Sequence, residues 1–227
     1  MPFVHYVALG DSMSSDHYPT CDVRGLDLPP ARLDPLGAAA LLHRDLEGRS
    51  PGIGFTNLTE DGAMIDDVLT EELARLGRDS DDPRILVTLT AGGNDLLDAV
   101  LAGRPLDSAV EHIRRRYTEL VATLREELPR ATLVLTTVYD PTDGTGRLPG
   151  FEPLGPLPLE YLERFNLHLR ETARRTPGAT LADVHRHFLG HGVTAPEGDR
   201  WYWQRNLIEP SARGASEIRR VWWHALG

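Results

Sequence analysis

The chain has 227 residues, 41% hydrophobic and 26% charged, with a formal net charge of −10; that describes a globular protein able to bury a substantial core, read as one α/β domain over residues 1–227. Its acidity argues against a nucleic-acid partner, which requires a concentrated cationic face, and the runs Arg114-Arg115-Arg116 and Arg219-Arg220 read as solvated helix faces. The single cysteine, Cys21, excludes an intramolecular disulfide; with no leader and no bilayer-length apolar run, a cytoplasmic location and no membrane partner are expected.

In chain order, residues 3–9 read as a strand, and 19–35 as a long irregular connection rich in Pro, Asp and Arg. A helix with an Ala-Leu face is predicted over 36–46, a short strand over 54–58, and a helix over 63–76. The β-branched run at 84–90 is the strongest strand signal in the chain. Over 106–128, apolar residues at Val110, Ile113, Tyr117, Leu120, Val121, Leu124 and Leu128 keep helical spacing, and Pro129 ends it. A buried-type strand follows at 131–138, then a Gly/Pro-rich loop at 140–158 whose length suggests a functional role. Residues 159–175 read as a helix, 179–184 as a strand and 211–226 as a closing helix. Strands alternating with helices imply a mostly five-stranded parallel sheet covered on both faces, a three-layer α/β/α sandwich.

Three short blocks stand at predicted strand ends. Gly10-Asp11-Ser12 follows the first strand, where open α/β sheets place ligands. A serine there is either a turn residue or a nucleophile that needs a base and an oxyanion site. Asn57 to Ala63 closes a strand and opens a helix, which leaves the Gly62 N–H available at a helix start. Gly92-Gly93-Asn94-Asp95 follows the best strand. There Asn94 or Asp95 can cap a helix from Leu96, and Asn94 also offers a neutral donor of the kind an oxyanion hole uses.

In order and placement these blocks resemble those of the SGNH (GDSL-type) hydrolase family, over nearly the whole chain. The resemblance implies a flavodoxin-like sandwich, Ser12 as nucleophile, and an oxyanion hole made of the Ser12 N–H, Gly62 and Asn94. The family's last block, Asp-x-x-His with a following Pro and Gly, corresponds to Asn206-Leu207-Ile208-Glu209-Pro210-Ser211-Ala212-Arg213-Gly214. Pro210, Ser211 and Gly214 keep the frame, while Glu209 stands at the base position and Asn206 at the orienting position.

Three accounts of this departure stay open. Glu209 is the base, oriented by Asn206, a neutral group that does not repel a carboxylate. An ordinary Glu at about 4.3 is a weaker proton acceptor than a His at about 6.5, by roughly 3 kcal/mol, unless burial raises it. A Glu base also predicts activity that persists to lower pH than a His base allows. Alternatively a histidine is the base: His17 beside Ser12, or His185, His187 or His191 after the last strand. Or the fold is retained as a binding module or an acyltransferase. Trp201-Tyr202-Trp203 precedes the altered block, and Trp203 is a candidate substrate contact. The expected activity is hydrolysis of an ester or related acyl bond in a small-molecule substrate. No metal or organic cofactor is expected, and the sequence is silent on oligomeric state.

Overall fold

The structure is a computed structural model and describes residues 3–23, 37–76 and 82–227. Its centre is a five-stranded parallel sheet built from β1 (His5–Gly10), β2 (Gly54–Asn57), β3 (Ile85–Thr90), β4 (Thr132–Thr136) and β5 (Ala179–Ala182), in the order β2-β1-β3-β4-β5. The middle strand, β3, is buried at all six positions. That explains its unbroken apolar and β-branched sequence, because a strand covered on both faces has no solvent side to alternate with.

The two-residue period of the strands sorts side chains into two cores. Val7, Leu9, Val87, Leu89, Leu133 and Leu135 pack on one face. There they meet Ile113, Tyr117, Leu120 and Leu124 of α5 (Leu106–Glu127), and Phe165 and Leu169 of α6 (Leu159–Arg175). Tyr6, Ala8, Leu86 and Val134 pack on the other. Their partners are Ala38, Ala39, Leu42 and Leu46 of α2 (Ala38–Arg49), with Ala215, Ile218 and Trp222 of α8 (Ala212–Ala225). The buried Trp222 indole donates to Thr136 Oγ1 at 2.9 Å. The arginine runs lie on outer helix faces, where Arg116 pairs with Asp66 and Glu119, and Arg219 with Asp45.

Several elements differ from the sequence reading. A short helix, α1 (His17–Val23), occupies the start of the connection expected to be irregular, and residues 24–36 lie outside the described part. The helix predicted over 63–76 is not uniform. A turn of α-helix, α3 (Ile65–Asp67), passes into a π-helical turn at Val68–Glu72 and a 3₁₀ turn at Leu73–Arg75. The widened turn accompanies burial of Glu72, which reaches the end of β1, a long-range contact that local periodicity does not encode. The helix after β3, α4 (Gly93–Leu101), begins at Gly93, three residues before Leu96. After β5 the chain turns into α7 (Val184–Phe188), and before α8 it forms an antiparallel hairpin of β6 (Tyr202–Trp203) and β7 (Asn206–Pro210). That hairpin has strands too short for an alternation signal.

Gly10 shows how tightly the carboxyl end of β1 is packed. Its φ is +116°, and a Cβ there would lie 1.7 Å from the Thr90 carbonyl oxygen. Backbone cannot step aside as a side chain can, so Gly10→Ala is expected to destabilise the protein by about 4 kcal/mol or more, read from the urea midpoint. A variant with an unchanged midpoint would show that β1 and β3 are not so close.

Candidate active site

The β1 exit is built to hold Ser12 in one place. The Asp11 N–H donates to Thr90 at both its carbonyl (3.2 Å) and its Oγ1 (3.1 Å). Asp11 Oδ1 accepts from the Met13 N–H at 3.1 Å, and the Ser14 N–H returns to the Asp11 carbonyl at 3.0 Å. The turn therefore wraps Asp11 and leaves Ser12, 6% exposed, at its apex and lining a cleft. Beneath it, the Gly10 N–H donates to Glu72 Oε2 at 2.8 Å.

Asn94 sits in the first turn of α4, after Gly92 with φ +101°. One N–H of its carboxamide donates to the Ala63 carbonyl at 3.0 Å, and the group has a second N–H for a ligand. Asp95 Oδ2 accepts from the Ile65 N–H at 3.1 Å. These bonds join the second and third blocks directly. Gly62 lies in an exposed turn with φ +79°, adjoining Ala63, and is not among the residues that line the cleft.

Glu209 comes from the other end of the chain. The β6–β7 hairpin places it, and the Tyr139 hydroxyl fixes the hairpin by donating to the Ile208 carbonyl at 2.8 Å. The Pro210-Ser211-Gly214 frame around it has a packing reason. Ser211 Oγ caps α8 by accepting from the Gly214 N–H at 3.1 Å, and a Cβ on Gly214 would lie 2.0 Å from the Trp201 carbonyl. The Glu209 carboxyl, 8% exposed, lines the same cleft as Ser12, and its Oε2 is buried without a partner.

Burial pushes Glu209 up to about 7; the Ser12 side chain opposes this, and Asp11 and Asp61 add to it. Desolvation and like charge both disfavour the ionised form. Raised this far, the carboxyl lies in the range of a histidine, so a Glu base here is expected to lose activity in acid as a histidine would.

The other predicted site residues are elsewhere. Asn206 Oδ1 accepts from the Ile208 N–H at 3.5 Å, and three positions along a strand put it on the face opposite Glu209. The His17 side chain is 61% exposed and faces Asp61 at 3.8 Å, and Asp61 also accepts from the Ser15 hydroxyl. The His191 ring stacks on Trp201 with centroids 3.6 Å apart, and its Nδ1 donates to the Asp199 carbonyl. His185 pairs with Glu163 at 3.2 Å and His187 with Glu217 at 2.8 Å. Trp203 tilts against Tyr18, and Trp201 is buried among Phe188, His187 and His191, so the expected aromatic wall does not line the cleft. Among the described residues no group of three or more His, Cys, Asp or Glu side chains is arranged to hold a metal, and no helix is long and apolar enough to cross a membrane.

Sequence reasoning missed Tyr139, Glu72 and the apolar walls of the cleft. The walls had a signal: Leu96, Leu97 and Val100 follow Asn94 at helical spacing on one face of α4. Tyr139 and Glu72 had none, since each acts on a segment more than 60 residues away.

A sheet of this order, with its cleft over the carboxyl ends of β1 and β3, is the frame of the SGNH hydrolases. The chain belongs to the GDSL-like lipase/acylhydrolase family, whose model matches residues 8–216. Among solved structures it is similar to a lipase from a goat rumen metagenome, with a TM-score of 0.66, 21% identity, and 98% of this chain and 97% of that one covered. It is similar also to phospholipase A1 from Streptomyces albidoflavus, with a TM-score of 0.63, 21% identity and coverage of 98% and 99%. An acetyl xylan esterase from Geobacillus stearothermophilus gives a TM-score of 0.64 at 14% identity, covering 100% and 97%. At these identities the likeness is one of fold. No curated protein sequence matches the chain.

Proposed function

We propose that the protein hydrolyses an ester or related acyl bond, with Ser12 as nucleophile and Glu209 as general base. The observation that carries this is that the buried Ser12 and Glu209 side chains line one cleft, which Asn94 also lines. With a pKa of about 7, Glu209 is about half ionised at neutral pH, which suits a group that must both accept and return a proton.

As Ser12 Oγ bonds to the carbonyl carbon, Glu209 takes the hydroxyl proton. The carbonyl oxygen gains the negative charge and is met by the Ser12 N–H and the second N–H of Asn94. Collapse of the tetrahedral species breaks the bond to the alcohol oxygen, and Glu209 returns the proton to that oxygen. Water then attacks the acyl-Ser12 ester by the same route and releases the acid. Every proton moves between Ser12, Glu209, substrate and water.

The test is labelling with a fluorophosphonate, which traps an activated serine, combined with Asn94→Ala. An adduct at Ser12 is expected in the wild type, and Asn94→Ala is expected to lower kcat by about 10²–10³. No adduct, together with ester turnover that Ser12→Ala leaves intact, would remove the proposal.

A further inference from the structure

The cleft is lined mostly by apolar side chains. Asp11, Ser12, Asn94 and Glu209 form its reactive end. Away from it the walls are Leu96, Leu97 and Val100 of α4, Leu106 at the start of α5, and Leu157 and Leu162 opposite. Three residues with polar groups line the remainder, Tyr139, Asp140 and Tyr161, and the first two have their bonds already made. Asp140 accepts from Thr142 and Gly144, and the Tyr139 hydroxyl donates to Ile208. A sugar or peptide laid along α4 would bury hydroxyls or amides against these walls without partners.

The substituents of the reacting carbon decide which part of the substrate lies there. Its former carbonyl oxygen must face Asn94, and its leaving oxygen must face Glu209, which protonates it. The remaining substituent, the acyl chain, is directed away from Glu209 and along α4. From Asn94 to Val100 the helix rises about 9 Å, roughly the reach of six to eight extended carbons.

We propose that this groove binds a medium-length, unbranched acyl chain, and that Val100 and Leu106 at its far end set the chain length. This rests on the assignment of Ser12 and Glu209 above. A chain extended along the groove gains about fourfold in kcat/KM for each methylene it buries.

The test uses two isomers, ethyl octanoate and octyl acetate, which differ only in the side of the ester that carries the long chain. Ethyl octanoate is expected to be the better substrate by at least about tenfold. Val100→Trp, which fills the far end, and Val100→Asn, which keeps the volume and removes the apolar contact, should each lower the ratio of octanoyl to acetyl ester turnover by about tenfold or more. Preference for octyl acetate, or an unchanged ratio in both variants, would overturn the groove while leaving the hydrolase intact. Octanoate binding to Ser12→Ala, measured by calorimetry, reads the groove without chemistry. Binding that exceeds that of acetate and is lost on adding Val100→Trp supports it even if neither ester is turned over, and equal binding of the two acids overturns it.

Discussion

Replacing Glu209 with Gln is expected to lower kcat/KM by about 10²–10⁴. The substitution keeps the shape of the side chain and an oxygen able to accept from Ser12, so packing of β7 should survive. What it removes is the ability to take the proton. In the wild type the base must be ionised, and its pKa is about 7, so activity should rise with pH between about 6 and 8. That limb should vanish in Glu209→Gln. Asp61→Asn should move it in the wild-type background to lower pH, because Asp61 is one of the charges that hold Glu209 up. Since burial places this glutamate where histidine titrates, the position of the limb does not identify the base, and only its loss in the variant does. A limb that persists in Glu209→Gln and disappears in His17→Ala or His191→Ala would transfer the role to that histidine. Their geometry argues against this outcome, as His17 is turned to Asp61 and His191 is stacked on Trp201.

The second large effect concerns stability and pH. Desolvation raises the buried carboxyls of Asp11 to about 6, Glu209 to about 7 and Glu72 to about 8, and that of the half-buried Asp95 to about 6. In each the folded-state pKa lies above the unfolded value, so the folded protein holds more protons between the two. Stability must then fall as pH rises from about 4 to about 8, the reverse of a salt-bridged carboxylate. Asp183 works the other way: burial opposes ionisation, but bonds to Arg170, Arg186 and Thr137 outweigh it, and its contribution is lost in acid. A stability maximum near pH 5 is therefore expected.

Glu72 contributes most to this slope. It is 1% exposed, Oε2 accepts from Gly10, and Oε1 has no partner. Keeping it protonated at pH 7, when the unfolded chain would ionise it, is unfavourable by about 3 kcal/mol. Glu72→Gln retains an acceptor for the Gly10 N–H and cannot ionise. Its urea-unfolding free energy should vary much less between pH 5 and 8 than that of the wild type. Parallel curves for the two proteins would show that Glu72 is not the buried acid described.

Much of the architecture was legible locally. The apolar run of β3, the spacing of α5 and the glycines at strand exits each express a constraint felt within one element, so a window of the sequence contains it. Ser12 and Asn94 could be located for the same reason, as each follows directly on a strand. The frame Pro210-Ser211-Gly214 was readable too, because a helix cap and a close backbone approach restrict residue type at a fixed offset. The placement of Asn206 on the strand face opposite Glu209 was not readable from its offset, because the hairpin decides it.

The chemical character of the site belonged to the tertiary structure alone. That Glu209 reaches Ser12, that its carboxyl titrates near 7, and that His17 and His191 are held by other partners all depend on segments far apart in the chain. A residue's type states which protons and bonds it can offer. How tightly it holds a proton is set by the water taken away and the charges brought near, and those are properties of a folded volume.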